Sequence, residues 1–82
     1  MKLNLRYFAS IREALGPGES IDFDGATLGA LRDALIARGG SHAEALGRSR
    51  NLRAALNHAM ADDAAALQEG DEVAFFPPVT GG

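Results

Sequence analysis

The chain contains 82 residues and has a mass of 8.6 kDa, which corresponds to one small domain. It contains no cysteine, which excludes disulfides, thiolate metal sites and cysteine persulfides on this chain. The formal net charge of −3 and a pI near 5.2 argue against a nucleic-acid-binding surface. A core of this size gains only a few kcal/mol, so we expect a partner surface to supply further stability.

Neither histidine is predicted to bind a metal, because His42 and His58 lack carboxylates at metal-ligand spacing. We interpret His42 as an exposed residue in the first turn of a short helix, without an acidic partner. The first ten residues lack the long apolar run of a signal peptide or a membrane span. We therefore expect a cytoplasmic globular protein that binds neither nucleic acid nor membranes.

The N-terminal segment from Lys2 to Phe8 alternates between apolar and polar positions, which predicts a half-buried strand. Its predicted inward residues are Leu3, Leu5 and Tyr7, and its outward residues are Lys2, Asn4, Arg6 and Phe8. The following Ser10-Ile11-Arg12-Glu13 fits a capping box, which predicts that Ser10 begins a short helix. Gly16-Pro17-Gly18 would end this helix, and renewed alternation from Ser20 to Phe23 predicts a second strand.

The main helix is predicted to begin at Thr27, whose hydroxyl suits an N-cap. Helical spacing places Leu28, Leu31 and Leu35 on its buried stripe and Arg32, Asp33 and Arg38 toward solvent. Gly39-Gly40 would end the helix. A second capping box, Ser41-His42-Ala43-Glu44, predicts a short helical turn that closes at Gly47.

The segment from Leu52 to Leu67 supports two interpretations. A helical stripe would contain Leu52, Leu56, Met60, Ala64 and Leu67, and the many alanines favour a helix. A strand would instead place Leu52, Ala54 and Leu56 on one face, with Asn57-His58 turning the chain back. On residue pattern alone the helix is favoured.

The C-terminal segment combines a strand with an unusual ending. Glu72 to Phe76 is predicted to be a strand, and Pro77-Pro78 would end its pairing because proline lacks the N–H donor. We therefore expect a folded domain over residues 1–76 and an extended tail over residues 77–82. Gly81-Gly82 has no side chains, so a narrow channel could admit its backbone and hold a carboxylate at depth. ATP-dependent adenylation by a partner would make that carboxylate reactive toward sulfur or an amine.

Three segments together resemble the small, sulfur-carrier subunits of molybdopterin synthase, which are ubiquitin-like β-grasp proteins. They are YFASIREALG at residues 7–16, TLGALRDAL at residues 27–35 and DEVAFFPPVTGG at residues 71–82. The last of these is the most specific, and the chain length agrees with the family as well.

This resemblance implies an α+β fold of the β-grasp (ubiquitin-like) type, in which a mixed sheet packs on one main helix. It assigns residues 52–57 and 59–62 to two strands around Asn57-His58. It makes Asp63 to Leu67 a short turn or helical loop. The resemblance therefore replaces the helix that the pattern favours, although NHAMADDAAAL is richer in alanine than is usual for paired strands.

The resemblance also implies a function. Gly82 would be adenylated by a partner similar to ubiquitin-activating enzymes and converted to a thiocarboxylate, with Gly81 and Thr80 as a passive neck. The tail would then enter the large synthase subunit and donate sulfur to cyclic pyranopterin monophosphate in molybdenum cofactor biosynthesis. The acid–base groups would belong to the large subunit, in a heterotetramer of two large and two small subunits. This chain would be a non-catalytic sulfur donor that binds no cofactor, while the activating partner uses ATP.

The alternation predicts where partners bind. If Tyr7 and Phe75 pack beneath the helix, Phe8, Phe76 and Met60 fall on the uncovered face of the sheet, where they would form a docking patch. Alternatively, Phe8 and Phe76 cover each other across neighbouring strands. Arg12 would add a charged contact at the rim, or would be solvated.

Three other functions fit the same tail. A ubiquitin-like protein modifier would form adducts with lysines through Gly82. A non-covalent binding module would keep its activity without Gly81-Gly82. A sulfur carrier for thiamine or cysteine synthesis would use the same chemistry with another acceptor, although the ending PPVTGG favours molybdopterin.

Overall fold

The computed structural model of the chain describes residues 1–78. This part contains strands β1 (Lys2–Tyr7), β2 (Gly18–Asp22), β3 (Arg53–Leu56), β4 (Ala59–Ala61) and β5 (Glu72–Phe76), and helices α1 (Ala9–Leu15), α2 (Leu28–Ile36) and α3 (Gly40–Leu46). The sheet order is β2-β1-β5-β3-β4, with β1 and β5 parallel and the other neighbours antiparallel. None of the three described helices has the length and apolar character needed to cross a bilayer. A mixed sheet with helices packed on it confirms the predicted fold class.

The core lies between the sheet and the helices. Leu3, Leu5 and Tyr7 of β1 are buried, as their alternation predicts. They form one cluster with Val73 and Phe75 of β5 and with the leucine stripe of α2, which consists of Leu28, Leu31 and Leu35. The rings of Tyr7 and Phe75 stack with centroids 6.4 Å apart. The predicted inward face of the sheet and the predicted helical stripe are therefore confirmed.

The disputed segment forms strands β3 and β4, so the helix favoured by residue pattern is wrong. Asn57 and His58 connect the two strands with φ values of 49° and 71°, the conformation that a two-residue hairpin turn requires. The Asn57 side chain accepts a hydrogen bond from the Glu72 N–H (2.9 Å) and donates to Asp71 Oδ1 (2.9 Å). Pairing of β3 with β5 therefore stabilises an alanine-rich strand pair that local propensity disfavours.

The predicted helix caps have different outcomes. Thr27 caps α2 as expected, because its Oγ1 accepts a hydrogen bond from the Ala30 N–H (3.2 Å). The capping boxes at Ser10 and Ser41 are wrong, since α1 has Phe8 and α3 has Gly39 at the N-cap, without side-chain capping bonds. Both helices begin before the serine, which leaves each serine inside the first turn.

Arg32 was predicted to face solvent, but its side chain is buried beneath α3 and the loop that follows. Its Nε donates to the carbonyl of Leu46 (2.7 Å), and its Nη2 donates to the carbonyls of Gly47 (2.7 Å) and Arg50 (3.0 Å). Carbonyl groups at the end of a helix lack intrahelical donors, so the guanidinium supplies them. The prediction failed because helical spacing does not show what packs on the helix.

We expect the substitution Arg32→Met to lower the free energy of unfolding by about 2–3 kcal/mol, because it removes three hydrogen bonds from a charged donor and leaves the Leu46 carbonyl without one. Urea unfolding followed by circular dichroism measures this change. Arg12→Met is the control, because Arg12 is exposed on α1 and its loss is expected to change stability by less than about 0.5 kcal/mol. Equal unfolding midpoints for the two variants would contradict the role given to Arg32.

His42 was predicted to lack an acidic partner, and this is also wrong. Its Nε2 lies 3.2 Å from Oε2 of Glu19 on β2. The same carboxylate accepts hydrogen bonds from the buried Tyr7 hydroxyl (3.0 Å) and from Arg38 Nη1 (2.8 Å). Glu19 thus links the edge strand to the region between α2 and α3. His42 and Glu19 are 23 residues apart, so no local motif in the sequence shows this contact.

The Glu19 network lowers the pKa of Glu19 and raises the pKa values of Tyr7 and Arg38. Burial acts to raise the pKa of the Glu19 carboxyl, but the hydrogen bonds from Arg38, His42 and Tyr7 outweigh it and lower that pKa. Burial and the hydrogen bond to Glu19 raise the pKa of the Tyr7 hydroxyl. Glu19 is therefore held in its charged form in the folded protein.

A lowered pKa for Glu19 predicts a loss of stability in acid. The contribution of this carboxylate is fully present above its unfolded pKa of about 4.5 and is lost as the pH falls through the lower folded pKa. In Glu19→Gln, the free energy of unfolding should be lower at neutral pH and should decline less between about pH 5 and pH 2. Thermal unfolding across this range tests the expectation, with Glu13→Gln on the exposed side of α1 as the control. Parallel pH profiles for wild type and Glu19→Gln would refute it.

Candidate functional site

The side of the sheet away from the helices, which we call the open face, carries large apolar side chains. Of the large hydrophobic residues in the described part of the chain, Phe8 and Met60 are the most exposed, at 40% and 61%. Phe76, at the end of β5, is half-buried on the same face. Exposed aromatic and methionine side chains on one face are typical of a docking surface.

Strand register places Met60, Ala55, Ala74 and Arg6 in one row across β4, β3, β5 and β1. Ala55 and Ala74 occupy the middle of the row, and their side chains end at Cβ. The surface of the sheet is therefore depressed between the longer side chains of Met60 and Arg6, which leaves room for side chains of a partner.

Phe8 lies directly after β1, at the end of the open face where β5 also ends. Its N–H donates to the Phe75 carbonyl (3.2 Å), which extends the β1–β5 pairing by one residue. The guanidinium carbon of Arg6 lies 5.8 Å from the centroid of the Phe8 ring, within the range of a cation–π contact. The stacked aromatic pair of these strands, Tyr7 with Phe75, is on the core side, so Phe8 keeps its exposure.

Arginines border this aromatic end of the open face. Arg53 is the cross-strand partner of Phe76, and Arg6 contacts the ring of Phe8. Arg12 is exposed on α1, and its N–H donates to the Phe8 carbonyl (3.3 Å). Of these three arginines, the sequence predicted a partner contact for Arg12 alone. Alternation placed Arg6 on the outward face with Phe8, whereas the position of Arg53 required the register between β3 and β5.

Arg6 also contacts the carboxylate of Glu72. Its Nη1 lies 3.8 Å from Oε1 of Glu72, and Oε2 of Glu72 lies 3.4 Å from Nε2 of His58. The Arg6 and His58 side chains are largely exposed, so the contacts contribute little to stability. Within residues 1–78, no three histidine or acidic side chains lie close enough together to hold a metal ion.

The chain leaves the domain beside Phe8. β5 ends at Phe76, and Pro77 and Pro78 follow without strand structure. Because β1 and β5 are parallel and Tyr7 pairs with Phe75, this exit lies at the aromatic end of the open face. Pro77 and Pro78 also line a groove of about 340 Å³ against α1 and α3. The predicted reactive residue Gly82 and its neck, Thr80 and Gly81, lie outside the described residues.

Known proteins match nearly the whole chain. The ThiS family matches residues 5–82. The molybdopterin synthase sulfur carrier subunit of Haemophilus influenzae is 41% identical over 81 residues, which cover 98% of this chain and 99% of that protein.

Solved structures agree with the sequence match. Small archaeal modifier protein 1 of Haloferax volcanii has a TM-score of 0.75 at 29% identity and covers 95% of this chain and 98% of its own. A chain in the complex of subunits 1 and 2 of the molybdopterin-converting factor of Helicobacter pylori has a TM-score of 0.71 at 28% identity and covers 100% of both chains. The family match, the high identity and the shared mixed-sheet fold show that the chain belongs to the ThiS family of ubiquitin-like β-grasp proteins, alongside the sulfur carrier subunits of molybdopterin synthase.

Proposed function

We propose that this chain is the sulfur-carrier small subunit of a molybdopterin synthase and that Gly82 carries the sulfur. The observation that carries the proposal is the 41% identity, over 98% of the chain, to a protein with that name. The open face supports it, because it presents apolar side chains for a partner next to the exit of the tail. Residues 1–76 are the folded domain in this proposal, and residues 77–82 are the reactive tail.

The proposed chemistry takes place at the Gly82 carboxylate. One carboxylate oxygen attacks the α-phosphate of ATP, pyrophosphate leaves, and an acyl adenylate forms. A sulfide equivalent then attacks the acyl carbon and displaces AMP, which leaves a thiocarboxylate. The activating enzyme, similar to those that activate ubiquitin, supplies the ATP site in the cytoplasm. Sulfur then passes to cyclic pyranopterin monophosphate, and two such donations build the dithiolene.

The large synthase subunit is the proposed acceptor partner. The Helicobacter pylori neighbour is a complex of subunits 1 and 2 of a molybdopterin-converting factor, which supports pairing with a second subunit. A partner that covers Phe8, Phe76 and Met60 would lie next to the point where the tail leaves the domain. Its own residues would supply acid–base catalysis, and the expected assembly contains two large and two small subunits.

Removal of Gly81-Gly82 should abolish thiocarboxylate formation, because it removes the carbonyl that carries the sulfur. The intact mass of the chain is measured after incubation with ATP, a sulfur source and the activating enzyme. Wild type should gain the mass of one oxygen replaced by sulfur and should then be alkylated once, which no cysteine can imitate. The truncated chain should stay unmodified and should unfold like wild type.

Thr80→Ser is the matched control, because it keeps both glycines and should still become a thiocarboxylate. Unmodified wild type under these conditions would contradict the carrier function and favour a binding module.

A protein modifier is the second candidate, because small archaeal modifier protein 1 shares the fold at a TM-score of 0.75. A modifier would appear in cells as higher-mass adducts joined through Gly82 to lysines of other proteins. A sulfur carrier for thiamine or cysteine synthesis would form the thiocarboxylate but would fail to convert the pterin. Mass spectrometry of adducts and an assay with each acceptor separate these functions.

If the open face binds the partner, a charged residue in place of Phe8 should weaken binding. Phe8→Asp should weaken binding to the large subunit about 100-fold, because a carboxylate replaces an exposed ring on the proposed contact surface. The variant should fold, since position 8 is the N-cap of α1 and aspartate is a favoured N-cap residue. Titration calorimetry measures the affinity.

Ser20→Asp is the matched control, because it adds the same charge to the open face on β2, in the row of Asn4 and away from Phe8. Its affinity should equal that of wild type. Unchanged binding by Phe8→Asp would remove the open face from the interface.

A further inference from the structure

The side chain of Met60 places a thioether sulfur on the proposed docking surface. Its side chain is 61% exposed on edge strand β4, whereas Met1, the chain's other methionine, is half-buried. Its cross-strand partner Ala55 and its chain neighbours Ala59 and Ala61 are too short to cover the thioether. The chain has no cysteine that would react with an oxidant first.

We propose that Met60 is an oxidation site whose sulfoxide weakens binding of the large subunit to the open face. This inference rests on the proposed function, since it requires that a partner covers Met60. It assigns a reversible regulatory modification to the docking surface, separate from the chemistry of the tail.

The modification needs only a peroxide as oxidant. The sulfur lone pair attacks one peroxide oxygen, the O–O bond breaks, and an S–O bond forms while the leaving oxygen becomes water. The thioether is oxidised by two electrons and the peroxide is reduced by two. Reduction by a thiol-dependent methionine sulfoxide reductase returns the thioether and converts two thiols to a disulfide and water.

The structure indicates why this change acts on docking and not on folding. An exposed side chain on an edge strand contributes little to the core, so its oxidation leaves the domain folded. A partner that covers the sulfoxide must desolvate a strongly polar S–O group. Ala55, directly opposite Met60 on the open face, carries no side-chain donor for that oxygen. The partner loses an apolar contact and must accommodate a polar group in its place, so binding weakens.

The test uses the carboxylate form of the chain, because a thiocarboxylate would itself react with peroxide. The free chain is treated with hydrogen peroxide, the peroxide is removed, and peptide masses locate the added oxygen. Calorimetry with untreated large subunit then compares oxidised and reduced chain. We expect Met60 to be oxidised before Met1, affinity to fall about 10- to 100-fold, and reductase treatment to restore it. Met60 in the preformed complex should be protected from peroxide, because binding and oxidation are linked.

Two variants test whether oxidation at position 60 is responsible for the loss of affinity. Peroxide treatment should not change the affinity of Met60→Leu for the large subunit, because this variant lacks the thioether. In Met60→Leu/Ser20→Met, an oxidisable methionine stands on the same face but on β2, and its oxidation should not change the affinity.

Equal affinities for oxidised and reduced wild type, with binding lost in Phe8→Asp, would overturn this inference and leave the docking surface in place. An equal peroxide-dependent loss in Met60→Leu would also overturn it. Unchanged binding by both oxidised wild type and Phe8→Asp would overturn the proposed docking surface as well.

Discussion

The parallel pairing of β1 with β5 is the contact on which the rest of the structure depends. It joins the first and last strands of the domain at the centre of the sheet, with Leu5 beside Val73 and Tyr7 beside Phe75. Because the two strands run in the same direction, both end at one edge of the domain. The chain therefore exits toward Pro77 next to Phe8, and the proposed reactive tail starts beside the proposed docking surface.

The sheet has a core face and an open face, and the alternation of side chains along each strand separates them. The core face uses the largest apolar residues, such as Tyr7 and Phe75, and the helices cover it. The open face combines Phe8, Met60 and Phe76 with a low row of alanines and a border of arginines. Stability therefore comes mainly from the core face, which leaves the open face available for the proposed partner.

Two polar contacts hold the helices in place over the core. Arg32 binds the carbonyls at the end of α3 and in the following loop, and Glu19 joins β2 to Arg38 and His42. Both polar groups have several partners, which offsets the cost of removing a charge from water. They lie on the covered side of the sheet and not on the open face, so partner binding need not disturb them.

The sequence by itself determined the features that repeat at short range. The alternation around Leu5 and in β5, the leucine stripe and cap of the Thr27 helix and the stop at Pro77 were all correct from the residues alone, and the tail motif identified the family. The tertiary structure decided what depends on distant neighbours: that β5 pairing makes the segment around Asn57 a hairpin, that Arg32 is buried beneath α3, and that Glu19 binds His42. It also placed Arg53 beside Phe76. Propensity and periodicity describe a residue and its near neighbours along the chain, whereas packing and register join segments that are far apart in sequence.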